Sequence, residues 1–458
     1  MVHAIEACCA YGKHPDSLLL SEDHFRRIVN TFTSFDDPVQ SALILADPEL
    51  FEFVVYMYRT QMDKQGEVWW MPIGRMTRLF GNPAEVPVCH ADFLRRFGIT
   101  LRQWLQLSFA IQAGTMGEKT KFSREYAGLF AALGIKQAVV DRFLGEVSRT
   151  PDEIGEAYRL IRYGNADTKT WNPRTWSQHR PQLSRTPLIA LPRGFVAPVE
   201  AYVVDLFGDS LFRRLVAEDS EQVRREIGRR YQQYVEDMIR YHLPTTRLWT
   251  STDLEVEGER SADFALDLSD CVLVIECKAV IFDQDVVTRK AVLQSGAINK
   301  IVDGYEQTVR TAMRVQAGAY KHLGIPNTKP RIGLVATLGA VPGANQPAVL
   351  SHALNELQVR GVKSEAVQTS LAAPLQAFHG FALEHLMVCL KHEVASVTQL
   401  FAERSAKHPL SMGDWQHELA RKLQAGKPHD IAFWKNPGWE LLEELGVNPG
   451  TPDTPNPS

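Results

Sequence analysis

Residues 262–282, ADFALDLSDCVLVIECKAVIF, constrain the fold of this chain more than any other stretch. CVLVI is apolar without a break and rich in β-branched side chains, the composition of a strand covered on both faces. ADFALDL before it forms a second strand, and Ser269-Asp270-Cys271 supplies the turn, so the two segments pair as a hairpin. LWTSTDLEVE, at 248–257, adds a strand upstream. Before these strands, SEQVRREIGRRYQQYVEDMIRYH places Val223, Ile227, Tyr231, Tyr234 and Met238 three and four residues apart, one apolar face of a helix. After them a long helical pattern runs through 290–324, and RIGLVATLGAV forms a further strand. Helix, three strands, helix, strand is the order of an α/β fold with a mixed sheet flanked by helices.

The chain has 458 residues, enough for two or three domains. The spacing of apolar residues predicts a helical accessory domain over 1–165, with SEDHFRRIVNTF (21–32), DPELFEFVVYMYRTQM (47–62) and LRQWLQLSFAIQAG (101–114) as its clearest helices. A Pro, Asn, Ser and Thr-rich linker or extended segment spans 166–195, the strand-bearing core 196–345, a helical C-terminal region 346–448 and a disordered tail 449–458. MPIGRMTRLFGN and ADFLRRFGITLRQWL can be read as short helices of a DNA-reading module, or as ordinary packing, and packing is the preferred reading. Packing is likewise preferred for Trp69, Trp70 and Trp104.

A formal net charge of -4 removes any argument from bulk charge for a general nucleic-acid or anionic-membrane binder, while a local basic groove stays open. Arg224, Arg225, Arg229 and Arg230 are interspersed with acids and read as a solvated face in preference to a phosphate track. Six cysteines without paired zinc spacing point to reduced thiols and a cytoplasmic location. No stretch has the length or composition of a membrane span or secretion signal, so no membrane partner is expected.

The chemistry concentrates at Asp263, Glu276 and Lys278. Residues two apart on a strand share a face, so Glu276 and Lys278 point together while Cys277 points away. Asp263 opens the partner strand, and two carboxylates and a lysine therefore converge at one sheet edge. Asp263 and Glu276, with the backbone carbonyl of Cys277 and water, are hard oxygen donors suited to Mg²⁺, with Mn²⁺ as a substitute. Such a set provides a route to phosphodiester hydrolysis, with Lys278 orienting water or stabilising charge on the phosphate. Cys277 itself is expected to pack. Asp267 and Asp270 are expected at the turn or in solvent, and His242 and His322 lack partners at metal-ligand spacing.

Over about 220–340, this pattern of helix, strand, SADFALDL, VLVIECKAV, helix and GLVATLG resembles the PD-(D/E)XK nuclease superfamily, with a restriction-endonuclease-like core. Ala262 stands where that family usually has proline. The resemblance implies metal binding by Asp263 and Glu276 and a catalytic Lys278. It also implies an acid from the preceding helix, for which Glu226 is favoured over Glu236, and a polar residue from the following helix, matched by Gln307. The implied activity is that of a Mg²⁺-dependent endonuclease, with DNA the favoured polymer, in defence against foreign DNA, restriction or repair. A homodimer or an accessory protein is compatible with it. The alternative is a catalytically inactive nucleic-acid-binding or structural subunit of the same fold.

Overall fold

The computed structural model describes residues 70–115, 121–123, 134–163, 182–192, 194–218, 220–281, 293–341, 344–345, 347–405, 415–424 and 432–443. The helices expected at 21–32 and 47–62, Trp69 and the tail 449–458 lie outside them. The architecture is mixed α/β, with helices flanking two sheets and helical regions towards both ends of the chain. No helix of the described residues is long and apolar enough to cross a membrane. The chain forms two compact units, one of residues 1–56, 67–223 and 434–458, the other of 57–66 and 224–433.

The first unit contains helices α1 (Trp70–Phe80), α2 (Pro87–Phe97), α3 (Leu101–Thr115), α4 (Gln137–Val147), α5 (Pro151–Tyr163), α6 (Glu200–Val204) and α7 (Asp209–Val216). Its sheet joins β1 (Lys121–Ser123), β2 (Ser148–Arg149), β3 (Leu188–Leu191) and β4 (Gly194–Val196) in the order β1-β4-β3-β2. Trp104 is fully buried: its ring meets Phe93 and Phe143 edge-on at 5.5 and 4.9 Å, and its indole N–H donates to the Leu206 carbonyl at 2.8 Å. A buried indole with its one donor satisfied is a packing residue. The pair of helices singled out as a possible DNA reader therefore closes a core through Phe93 and Trp104.

The second unit is built on a five-stranded sheet of sequential order: β5 (Arg247–Thr250), β6 (Phe264–Asp267), β7 (Val272–Lys278), β8 (Arg331–Thr337) and β9 (Gln376–His379). β5, β6 and β7 run antiparallel in turn, and β7, β8 and β9 run parallel. The helix α8 (Glu221–His242) precedes β5, and Val223, Ile227, Tyr231, Tyr234 and Met238 are all buried, the face that periodicity assigned to the core. The β6–β7 hairpin closes through the Leu268 N–H to the Cys271 carbonyl, 2.9 Å, around the predicted turn.

Parallel strands need a crossover, and α9 (Gly296–Ala317) provides it between β7 and β8. Ser295 caps it, its hydroxyl accepting from the Ile298 N–H at 3.3 Å. Ile298, Ile301, Val302, Tyr305, Val309, Ala312 and Val315 form its buried stripe. Helices α10 (Pro347–Val359) and α11 (Ser364–Ser370) make the next crossover, and α12 (Gly380–Lys391), α13 (Val397–Ser405) and α14 (Trp415–Gln424) follow, while the last helix, α15 (Ala432–Glu443), belongs mostly to the first unit.

The approach of α9 to β8 is unusually close at two glycines. A Cβ on Gly304 would lie 2.8 Å from Val335 Cγ2, and a Cβ on Gly333 would lie 2.5 Å from Thr308 Cγ2. Side chains at either position would push the helix off the sheet. Gly304→Val is expected to destabilise the protein by about 1–3 kcal/mol through overpacking. Urea denaturation measures this, and Val335→Ala in the same chain should recover part of the loss.

Candidate active site

Strand register brings the acids together. Phe264 pairs with Ile275, so Asp263, one residue before β6, stands opposite Glu276 on β7. Opposed residues of an antiparallel pair project from the same face. On β7 that face carries Val272 and Val274, buried with Ala265 and with Val315 of α9, and then Glu276 and Lys278. It is apolar under the carboxyl end of α9 and charged where β7 leaves the core.

Two backbone donors fix the acids. The Cys277 N–H donates to Asp263 Oδ2 at 2.7 Å, and the Asp263 N–H donates to Glu276 Oε2 at 3.1 Å. Lys278 Nζ donates to Glu276 Oε1 at 2.5 Å and to Gln307 Oε1 at 2.6 Å. An ammonium has three N–H donors and no acceptor, so Gln307 must turn its oxygen to Lys278, and one Lys278 donor has no partner among the described residues. Gln307 Nε2 has no hydrogen-bond partner among the described residues.

Helix α9 holds this cluster from one side. Gly304, Gln307, Thr311 and Arg314 recur at three- and four-residue intervals, so they form one stripe. Glu276 passes beneath Gly304, whose Cβ would sit 3.4 Å from Glu276 Cγ. Thr311 Oγ1 accepts the Ala262 N–H at 2.8 Å. Arg314 donates to the Ser261 hydroxyl at 3.0 Å and to the Arg260 carbonyl at 3.4 Å, and pairs with Glu259. The segment that delivers Asp263 is thus laid along the helix.

Burial sets the electrostatics. Glu276 is only 4% exposed, and its carboxyl is pushed up to about 8, first by burial and then by the charge of Asp263 opposite. The Lys278 ammonium works in the other direction and is outweighed. Asp263 is raised as well, mainly by burial, with the Cys277 N–H and Lys278 opposing the shift. Burial and the two adjacent acids raise the Cys277 thiol well above its ordinary range, so it stays protonated at neutral pH and is no nucleophile.

The structure therefore brings Asp263, Glu276, Lys278 and Gln307 into one hydrogen-bonded group. Glu226, on α8, takes no part in the hydrogen bonds or ion pairs of these four, and Glu236 pairs with Arg240 at 2.8 Å. Asp267 and Asp270 anchor the hairpin instead of lying free. Lys329 pairs with Asp267 at 2.6 Å, and Asp270 accepts the Thr398 N–H at 2.8 Å at the start of α13. His242 is buried against the rings of Tyr241 and Phe433, and His322 is exposed. Sequence reasoning missed Thr311 and Arg314. Their spacing from Gln307 was the available signal.

Among the described residues no group of three His, Cys, Asp or Glu side chains stands close enough to hold a metal. Asp263 and Glu276 are a pair of hard oxygen donors, a set that suits Mg²⁺, which commonly takes one or two carboxylates and keeps several waters. Comparison with protein-family models, with curated proteins and with solved structures finds no match to this chain.

A carboxyl raised in the folded state keeps a proton that the unfolded chain, with a glutamate near 4.3, has lost. Between about pH 4.5 and 8 the folded state then binds more protons, so metal-free stability should fall as pH rises, by at most about 1.4 kcal/mol per pH unit. Urea midpoints across that range check this. Glu276→Gln should flatten the profile, and an unchanged slope would place the proton elsewhere.

Proposed function

We propose that this chain is a metal-dependent endonuclease that hydrolyses phosphodiester bonds, with DNA the favoured polymer. The observation that carries the reading is the opposition of Asp263 and Glu276 across a hairpin, with Lys278 bonded to Glu276 on the same face. The order α8, three antiparallel strands, α9 and parallel β8 supports it, being the arrangement implied by the resemblance to the PD-(D/E)XK nucleases.

Asp263 and Glu276 are the residues that would hold a divalent cation, with the Cys277 carbonyl as a further candidate ligand. Both carboxyls are raised, by burial first, and a bound cation would favour their ionised forms. When bound, such a cation supplies Lewis acidity at the phosphoryl oxygen and lowers the pKa of a coordinated water. Lys278 holds an N–H for a non-bridging phosphate oxygen or for the attacking water, and Glu276 and Gln307 keep its Nζ at the sheet edge. Gln307 is a positioning residue for Lys278. The setting that fits the reading is cytoplasmic defence, restriction or repair.

The test is cleavage of linear, circular and single-stranded DNA and of RNA with Mg²⁺ or Mn²⁺. Asp263→Ala and Lys278→Ala should each lose about 10²-fold or more. Equal activity in the variants and the natural chain would move catalysis to another site. Tight nucleic-acid binding without cleavage of any of these substrates would make the chain an inactive binding subunit.

A further inference from the structure

Gln307 faces two ways. Its oxygen accepts from Lys278, and its side chain also lines a cleft of about 400 Å³ with Gly258, Glu259, Arg260, Asp303, Glu306, Arg310 and Arg360. The charges of the cleft wall are mostly used up internally. Arg360 pairs with Asp303 at 2.6 Å and with Glu306 at 3.1 Å, Arg310 pairs with Glu306 at 3.0 Å, and Glu259 pairs with Arg314 behind the wall. Four guanidinium groups thus meet three carboxylates.

The unmatched charge belongs to Arg260. It is exposed, and among the described residues its guanidinium takes part in no ion pair or hydrogen bond. Its backbone, by contrast, is pinned: its carbonyl accepts from Arg314, and the Ala262 N–H two residues on is held by Thr311. An unpaired guanidinium on a fixed backbone, three residues before Asp263, is free to take an anion beside the acids. Gln307 Nε2 also has no hydrogen-bond partner among the described residues, and the oxygen of the same amide is bonded to Lys278. Free donors therefore run from Arg260 through Gln307 to Lys278.

We infer that this cleft receives a backbone phosphate of the nucleic acid next to the one attacked, with Arg260 as its charged ligand and Gln307 as the link to Lys278. The inference rests on the nuclease reading for the identity of the polymer. The three arginines and three acids that line the cleft balance in charge, so it selects a single phosphate by the position of Arg260 and does not gather anions at large. Phosphate contacts of this kind set the register of a substrate and are blind to its sequence.

The experiment measures fluorescence anisotropy of a labelled DNA duplex with the full chain, without divalent cation, from 50 to 200 mM salt. Loss of one phosphate contact should reduce the slope of log K against log salt by about 0.9 in Arg260→Gln, making the loss of affinity over that range about threefold smaller. Arg260→Lys should keep most of the slope. Because Arg260 has no ion pair to lose, the Tm of Arg260→Gln should match that of the natural chain. An unchanged slope in Arg260→Gln overturns the inference, whether or not the natural chain cleaves DNA. A reduced slope in a chain that never cleaves with Mg²⁺ or Mn²⁺ upholds the cleft and overturns the hydrolytic reading. Absence of duplex binding even at 50 mM salt overturns both.

Discussion

Two carboxylates facing each other across a hairpin, one of them almost withdrawn from water, are the arrangement to which the rest of the second unit answers. Burial and mutual repulsion both oppose ionisation of Glu276, and one ammonium does not cancel them. An uncompensated pair of this kind would normally be removed from a core by selection for stability, since apolar residues of like volume pack there at no electrostatic cost. The hairpin keeps it by spending backbone donors on it. The N–H of Cys277 and that of Asp263 each meet a carboxylate oxygen, so strand pairing and acid orientation become the same set of bonds.

Helix α9 turns this local geometry into a fixed site. As the crossover between parallel β7 and β8 it must cover the sheet face on which the acids stand, and the glycines at 304 and 333 let it lie close. Closeness has a functional corollary. A single stripe of the helix reaches Glu276 at Gly304, Lys278 at Gln307, the Asp263 segment at Thr311 and the approach to that segment at Arg314. The spacing of Glu276, Lys278 and the segment that delivers Asp263 is thus set by one rigid element, the condition under which a site can be precise.

Legibility in the sequence divides along the range of the interactions. The two apolar segments and the turn at Ser269–Cys271 between them were local signals, and a hairpin closed at that turn puts Asp263 opposite Glu276. The two-residue spacing of Glu276 and Lys278 likewise needs only strand parity. What periodicity does not carry is which residue of a distant element arrives. Thr311 and Arg314 read as polar positions of a helix, and their contacts with 260–262 depend on how far α9 slides along β7. For the same reason Asp270 read as a turn residue, although it closes the start of α13.

The choice of lysine at 278 follows from the crowding around it. A guanidinium is a planar fork that favours two parallel bonds to one carboxylate, whereas an ammonium is a compact point charge whose donors diverge. Lys278 uses that divergence, reaching an acid of its own strand and an amide of α9 at 2.5 and 2.6 Å with a donor to spare. The amide on α9 is neutral, so it holds the ammonium in place without matching its charge. An acid at 307 would place a third carboxylate beside Asp263 and Glu276 and pair fully with Lys278, leaving less of its field for a phosphate. Glutamine positions the lysine through its oxygen, and its amide NH2 is left for the cleft that it lines with Arg260.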